Sequence, residues 1–361
     1  MEHVSTSASL RSSRIDQILV DDQRRPDVLH LHWLDYYDVP SAILARSLHG
    51  RRDFISRSAR RTIETAANLR PIFALRRLRK LADLLRRLQH LQRSGVVLAY
   101  TLHNLNPHDT DSWADRLGTW ALIRQADVLH VHDDEAARIV KGRYGREKPI
   151  SVVPHGHYRD VYPNTASRAE ARQTLGLQED AFVYLSLGLL RPYKGLEELL
   201  PAFRSLPSPR ARLVLAGKPH DEQYAQLLAR LAAPDARIVL NTDFVPPDQV
   251  QYFMNACDIG VLPYRQITTS GAAMLSFSFG VPIIAPASGA FRQLVGAHRG
   301  ILYEPGPPDG LVSALLQAEQ TSWLGCRQEI LKWVSQFEWA WIGSRLLEAY
   351  RMAAPSPPSS K

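Results

Sequence analysis

Between Ala181 and Leu206 an apolar run, a glycine-bearing loop and an amphipathic stretch follow one another without a break. The run ends at Leu187 before Gly188, and the amphipathic stretch begins at Leu196 after Gly195, which reads as strand, loop and helix. The loop segment, Ser186 to Gly195, is S-L-G-L-L-R-P-Y-K-G. It puts Arg191 and Lys194 at the carboxyl end of a strand and the amino end of a helix. In open α/β sheets that position favours anions, because free N–H groups and the helix dipole both attract negative charge. The plain alternative is a surface loop with two ordinary basic residues, and on either reading Lys194 is expected to be an exposed loop lysine with little packing energy.

The same rhythm recurs along the chain. Apolar runs at Asp27–His32, Val96–Thr101, Asp127–His132, Ile150–Val153, Arg212–Ala216, Arg237–Leu240, Asp258–Leu262 and Pro282–Ala285 are separated by short connections and helical stretches. Alternation of this kind predicts parallel, doubly wound sheets, and 361 residues suffice for two domains. Asp133 or Asp134 caps a helix running through Arg143. A second candidate anion loop is Leu262 to Gly271, L-P-Y-R-Q-I-T-T-S-G, in which Ser270 and Gly271 open a helix.

The pairing of G-L-L-R-P-Y-K-G with the later F-G-V-P-I-I-A resembles the "group 1" nucleotide-sugar glycosyltransferases of the GT-B fold. In that family a G-R-L-x-x-x-K-G-like loop holds the donor diphosphate, and Gly188, Lys194 and Gly195 fall on its pattern. Arg191 sits two places later than the usual arginine, so its role is read from its chemistry. The resemblance implies two doubly wound, Rossmann-like domains facing a cleft. The expected division is an acceptor-binding domain at 1–155, a donor-binding domain at 156–335, and a final helix crossing back at 336–361. The strand and glycine-rich loop with which such chains open is not recognisable before Asp27, which leaves the first domain short at its amino end. Counting back from Pro282, Ile267 and Leu275 stand where the family has its E-x7-E glutamates, which hold the donor sugar and ribose.

The resemblance also implies site residues. His103, beside Asn104 in T-L-H-N, matches a family segment at the reacting centre. An imidazole there can hydrogen-bond a sugar hydroxyl or neutralise leaving-group charge. His155 and Gly156 fall where the family contacts its donor, with Tyr264 and Thr269 on the second loop. His32 and Trp33 are candidates on the acceptor side, and Asp35 or Asp109 for a general base. The reaction implied is transfer of a hexose from a GDP- or UDP-sugar to an acceptor hydroxyl, a saccharide or lipid-linked saccharide of polysaccharide or glycolipid synthesis. A departing diphosphate can be stabilised by basic side chains and helix N-termini, and neither donor loop carries an Asp-x-Asp clamp, so neither metal nor cofactor is expected.

Two other functions compete. The pairs His30/His32 and His130/His132 resemble the strand-end His-x-His of metal-dependent hydrolases, but past residue 157 only His220 and His298 remain. A binding or scaffold protein that has lost catalysis is the non-enzyme alternative.

Composition bears on partners. The net charge of +8 points to anions. Residues 44–93 are helix-prone and basic, with clusters R-S-A-R-R and R-R-L-R-K, and Leu78, Leu81, Leu84, Leu85 and Leu88 are expected on one face. This is either a solvated helix or one drawn to an anionic membrane surface. Nucleic acid is not expected, because no aromatic platform accompanies the charge. Cys257 and Cys326 stand far apart, which suits a cytoplasmic protein, peripheral at the membrane's inner face if it binds lipid.

Overall fold

A computed structural model describes residues 26–32, 71–103, 113–265, 270–296, 298–306, 309–323 and 325–354. Trp33, Asp35, Asn104, Asp109, Ile267 and Thr269 lie outside the described residues, as do the segments 44–70 and 355–361. The chain divides into two compact units, Met1–Val131 with Ala137–Val152 and Leu346–Lys361, and His132–Ala136 with Val153–Arg345.

In the first unit four strands, β1 (Val28–Leu31), β2 (Val97–Thr101), β3 (Val128–Val131) and β4 (Ile150–Val152), form a parallel sheet in that order. Every residue of β2 and β3 is buried, so both read as largely apolar runs in which only Thr101 and His130 are polar. Helix α1 (Pro71–Arg93) precedes β2, and α2 (Trp113–Gln125) precedes β3. The apolar face of α1 differs from the expected one. Leu81, Leu88 and Leu91 are buried, whereas Leu78 is exposed, because the helix turns that side away from the sheet. After β3, Asp133 settles the choice of cap by accepting the Ala136 N–H at 2.7 Å, and α3 (Asp134–Tyr144) follows. Not every basic residue awaits a ligand: buried Arg146 donates to the carbonyls of Ile123, Ala126 and Pro149.

The second unit begins with α4 (Arg168–Thr174) and a six-stranded parallel sheet. Its strands are β5 (Phe182–Leu187), β6 (Ala211–Ala216), β7 (Ile238–Asn241), β8 (Ile259–Val261), β9 (Ile283–Pro286) and β10 (Gly300–Tyr303), in the order β10-β9-β8-β5-β6-β7. The edge strand β10, a short mixed run, has no counterpart in the sequence reading. The helices between are α5 (Leu196–Arg204), α6 (Glu222–Ala232), α7 (Val250–Ala256), α8 (Gly271–Ser278), α9 (Phe291–Leu294) and α10 (Asp309–Gln320). Helices α11 (Cys326–Val334) and α12 (Trp339–Ala353) complete the chain. Tyr184, Leu213 and Ile259 pack under α5, α6 and α10, while Val183, Leu185 and Val214 pack under α4 and α7, so the sheet is covered on both faces. Strand order reverses between β5 and β8, and ligands bind at such switch points beyond the strands' carboxyl ends. The loops after β5 and β8 are the two loops singled out above.

Candidate functional site

Backbone contacts build the first loop. The Gly188 N–H donates to Ala216 O at 2.9 Å, and a Cβ on Gly217 would lie 2.3 Å from Gly188 O, so only glycine lets the ends of β5 and β6 approach this closely. Arg191 then enters a 3-10 turn, Pro192–Lys194, and Gly195 closes it in the left-handed region at φ 66°. Lys194 is not the exposed loop lysine expected from its position. Its side chain is only 5% exposed, with Nζ 5.6 Å from the Tyr264 ring centroid and 3.2 Å from where a Cβ on Gly188 would lie. No carboxylate pairs with it among the described residues. Burial and then the Arg191 charge bring its pKa down to about 8. A buried, uncompensated ammonium is costly unless an anion completes it.

The second loop is laced to the first. The Arg265 N–H donates to Tyr193 O at 2.9 Å, and its guanidinium reaches Pro192 O at 3.1 Å and Glu198 at 2.8 Å. Tyr264 is buried between Tyr193 and Phe291, so it walls Lys194 instead of offering its hydroxyl to solvent. Ser270 caps α8, its Oγ accepting the Ala273 N–H at 3.0 Å, which commits that oxygen to the helix while its proton can still be donated. Gly271 opens α8 beside the 155–158 segment: a Cβ there would lie 3.2 Å from Tyr158 Oη and 3.8 Å from His155 Nε2.

That segment fixes one imidazole. Its contact with Gly156 O, at 2.8 Å, requires His155 Nδ1 to carry the proton, because a carbonyl only accepts. The lone pair on Nε2 therefore points toward the Tyr158 hydroxyl, 3.4 Å away, and the start of α8. Burial lowers the His155 pKa against the opposing Gly156 bond. Gly156 has a packing reason to be glycine: a Cβ would fall 2.5 Å from the Trp339 ring, whose Nε1–H donates to His157 O.

The first unit carries a separate histidine cluster at the carboxyl end of its sheet. His30 Nε2 and His130 Nδ1 meet Thr101 Oγ1 at 2.7 and 3.0 Å, and Tyr350 Oη lies 2.7 Å from His30 Nδ1. Burial first, then the neighbouring histidines, bring the His30 pKa down to about 3, so it stays neutral. His32 Nδ1 is 3.1 Å from His103 Nε2, with the rings stacked 5.3 Å apart. The near-identical D-V-L-H-L-H and D-V-L-H-V-H arise because β1 and β3 flank β2 and share its Thr101. Among the described residues no group of three or more His, Cys, Asp or Glu side chains is placed to hold an ion.

Residues 167–328 match the family described as glycosyl transferases group 1. A GDP-mannose:glycolipid 4-beta-D-mannosyltransferase of Xanthomonas campestris pv. campestris is 30% identical over 329 residues, 90% of this chain and 80% of that protein. The chain belongs to the group 1 glycosyltransferases. Its fold is shared with sucrose-phosphate synthase of Thermosynechococcus elongatus, at TM-score 0.62 and 18% identity over 74% of this chain and 71% of that one. HepE of Anabaena, solved with UDP-glucose, gives TM-score 0.61 and 19% identity over 75% and 76%. The fold is therefore GT-B, and the protein is a nucleotide-sugar-dependent hexosyltransferase.

In this transferase the second unit gathers Gly188, Arg191, Lys194, Gly195, Tyr264, Ser270, Gly271 and His155 around one switch point. Leu275, which the resemblance sets at one of the two glutamate positions, packs against the apolar cluster under α7. Sequence reasoning missed Arg265, Tyr158 and Trp339. Arg265 stands in a loop already singled out. The aromatic run around Trp339 suggests a bracing helix, but nothing local marks its contact with Gly156, which is distant in sequence.

Proposed function

We propose that this transferase moves mannose from GDP-mannose to a hydroxyl of a lipid-linked saccharide. The observation that carries the donor half is Lys194, a buried ammonium with no carboxylate partner among the described residues. Arg191, Lys194, the Ser270 hydroxyl and the N–H groups opening α5 and α8 hold the diphosphate and stabilise its charge as it leaves. His155 offers its Nε2 lone pair to a donor hydroxyl. Gly188 and Gly195 let the backbone approach, while Tyr264 and Gly156 support this shell through packing. The choice of sugar and acceptor is supported by the Xanthomonas relative, which is named for GDP-mannose and glycolipid.

On the acceptor side, His103 hydrogen-bonds a sugar hydroxyl or neutralises leaving-group charge, and His32, 3.1 Å away, fixes the orientation of its ring. Trp33 and Asn104 extend that side, and Thr269 the donor side, on sequence grounds alone. An anionic membrane surface presents the lipid-linked acceptor. Among the described residues no helix is long and apolar enough to cross a membrane.

Donor choice is tested by titrating a panel of nucleotide-sugars against the melting temperature, then measuring nucleoside diphosphate release with lipid-linked acceptors. GDP-mannose is expected to give the largest shift and to turn over. Binding of a donor with no release from any acceptor would replace the reading by a binding function. Transfer is also expected to survive EDTA. Loss of activity restored by magnesium or manganese would show that a carboxylate–metal site holds the diphosphate instead.

A further inference from the structure

Helix α2 is apolar on two opposite faces. Thr119, Leu122 and Ile123 are buried against the first unit. On the outward side Trp113, Leu117 and Trp120 follow at i, i+4 and i+7, and they are 39%, 36% and 44% exposed. Arg124 continues the stripe one turn on, with its guanidinium 5.2 Å from the Trp120 ring centroid. A solvent-facing helix ordinarily carries polar residues there.

Helix α1 extends the patch. The Gln125 side-chain amide bonds Leu85 O and Gln92 Oε1, both at 3.1 Å, so the two helices lie side by side at their carboxyl ends. Each leads into one of two neighbouring parallel strands, so the helices run the same way. Counting back at about 1.5 Å per residue sets Trp113 and Leu117 within about a turn of Leu75 and Leu78 in height, which are 49% and 39% exposed. Along the same two helices Arg79, Lys80, Arg86, Arg93 and Arg116 are exposed. The single acid of α1, Asp83, is paired with Arg87 at 2.7 Å.

We propose that the outward faces of α1 and α2 form one docking surface for an anionic lipid bilayer, with Trp113, Leu117 and Trp120 as its insertion anchors. Charge decides between occupants. Tryptophan joins an apolar body to one N–H donor and suits the boundary between headgroups and acyl chains. A rim this rich in arginine complements anionic headgroups and repels a second copy of itself. The purpose of the surface rests on the lipid-linked acceptor proposed above; its affinity for lipid does not.

The test is co-sedimentation with vesicles of phosphatidylcholine alone and of phosphatidylcholine with phosphatidylglycerol, at low and raised salt. The native chain is expected to bind the anionic vesicles and to be released by salt. The double variant Trp113→Ser/Trp120→Ser is expected to lose about tenfold or more in partitioning, since two anchors no longer bury apolar area. Its melting temperature and its response to GDP are expected to stay unchanged, because both side chains face outward. The conservative pair Trp113→Phe/Trp120→Phe should keep most of the binding. Undiminished binding by the serine variant would overturn the assignment of anchors, as would equal binding to neutral and anionic vesicles. A dimer that the serine substitutions dissociate would assign the face to a second copy. If the native chain binds vesicles but glycosylates only water-soluble saccharides, the lipid-linked acceptor fails while the docking surface stands.

Discussion

Replacing Lys194 with Met is expected to raise the melting temperature of the unliganded protein while removing its response to donor. The native ammonium is buried, and its pKa falls from 10.5 to about 8. That shift corresponds to a folding cost on the order of 3 kcal/mol at pH 7, where the group is charged in both folded and unfolded chains. Methionine fills much the same volume without the charge. The sign of the pH dependence follows. Between about pH 8 and 10.5 the unfolded chain holds the proton that the folded chain has lost, so native stability rises with pH across that window. The variant should show no such rise. Donor binding should move the other way: the diphosphate needs the ammonium, so affinity falls as pH rises through about 8, with proton uptake on binding. Loss of the charge-assisted bond, about 1.5–3 kcal/mol, lowers kcat/KM by ten- to a hundredfold or more. Melting curves across pH with and without donor, and initial rates for both proteins, decide the matter. A destabilised Lys194→Met protein that still binds donor normally would remove Lys194 from the phosphate site.

Gly195→Ala is expected to be the most damaging single methyl group in the donor loop. Two costs add. The residue holds φ 66°, where a Cβ costs about 1–2 kcal/mol, and that Cβ would lie 2.2 Å from the Pro263 carbonyl oxygen, a backbone atom. The loops after β5 and β8 must part to admit it. Gly176 separates the two effects, because it has the same φ of 66° and nothing within 4 Å of its would-be Cβ. Gly176→Ala should lose about 1 kcal/mol and leave donor affinity intact. Gly195→Ala should lose about 3 kcal/mol, a fall in Tm on the order of 6–12 °C, and weaken donor binding because Lys194 shifts with its turn. Equal losses in the two variants would mean that backbone conformation alone requires glycine at 195.

Much of the protein was legible in one dimension. A parallel strand covered on both faces must be largely apolar, so Val97–Thr101 and Phe182–Leu187 announce themselves wherever they pack. The two loops were legible for a related reason. Gly188, Gly195 and Ser270 serve the local backbone as turn closers or cap, and such needs are met by the residue itself.

Tertiary structure alone decided the rest. Lys194 reads as an exposed loop lysine until Tyr264 and Arg265, from a distant loop, close over its turn. Gly156 reads as a donor contact in the sequence, and only the fold shows that Trp339 also packs on it. The repeated D-V-L-H strands look like metal ligands until register brings His30 and His130 to Thr101. On α1 the leucines read as one face until the sheet takes only one side and leaves Leu78 outward. Backbone conformation and strand burial are dictated by neighbours in sequence, whereas the burial of a charge or an aromatic ring depends on segments that meet only after the chain has folded.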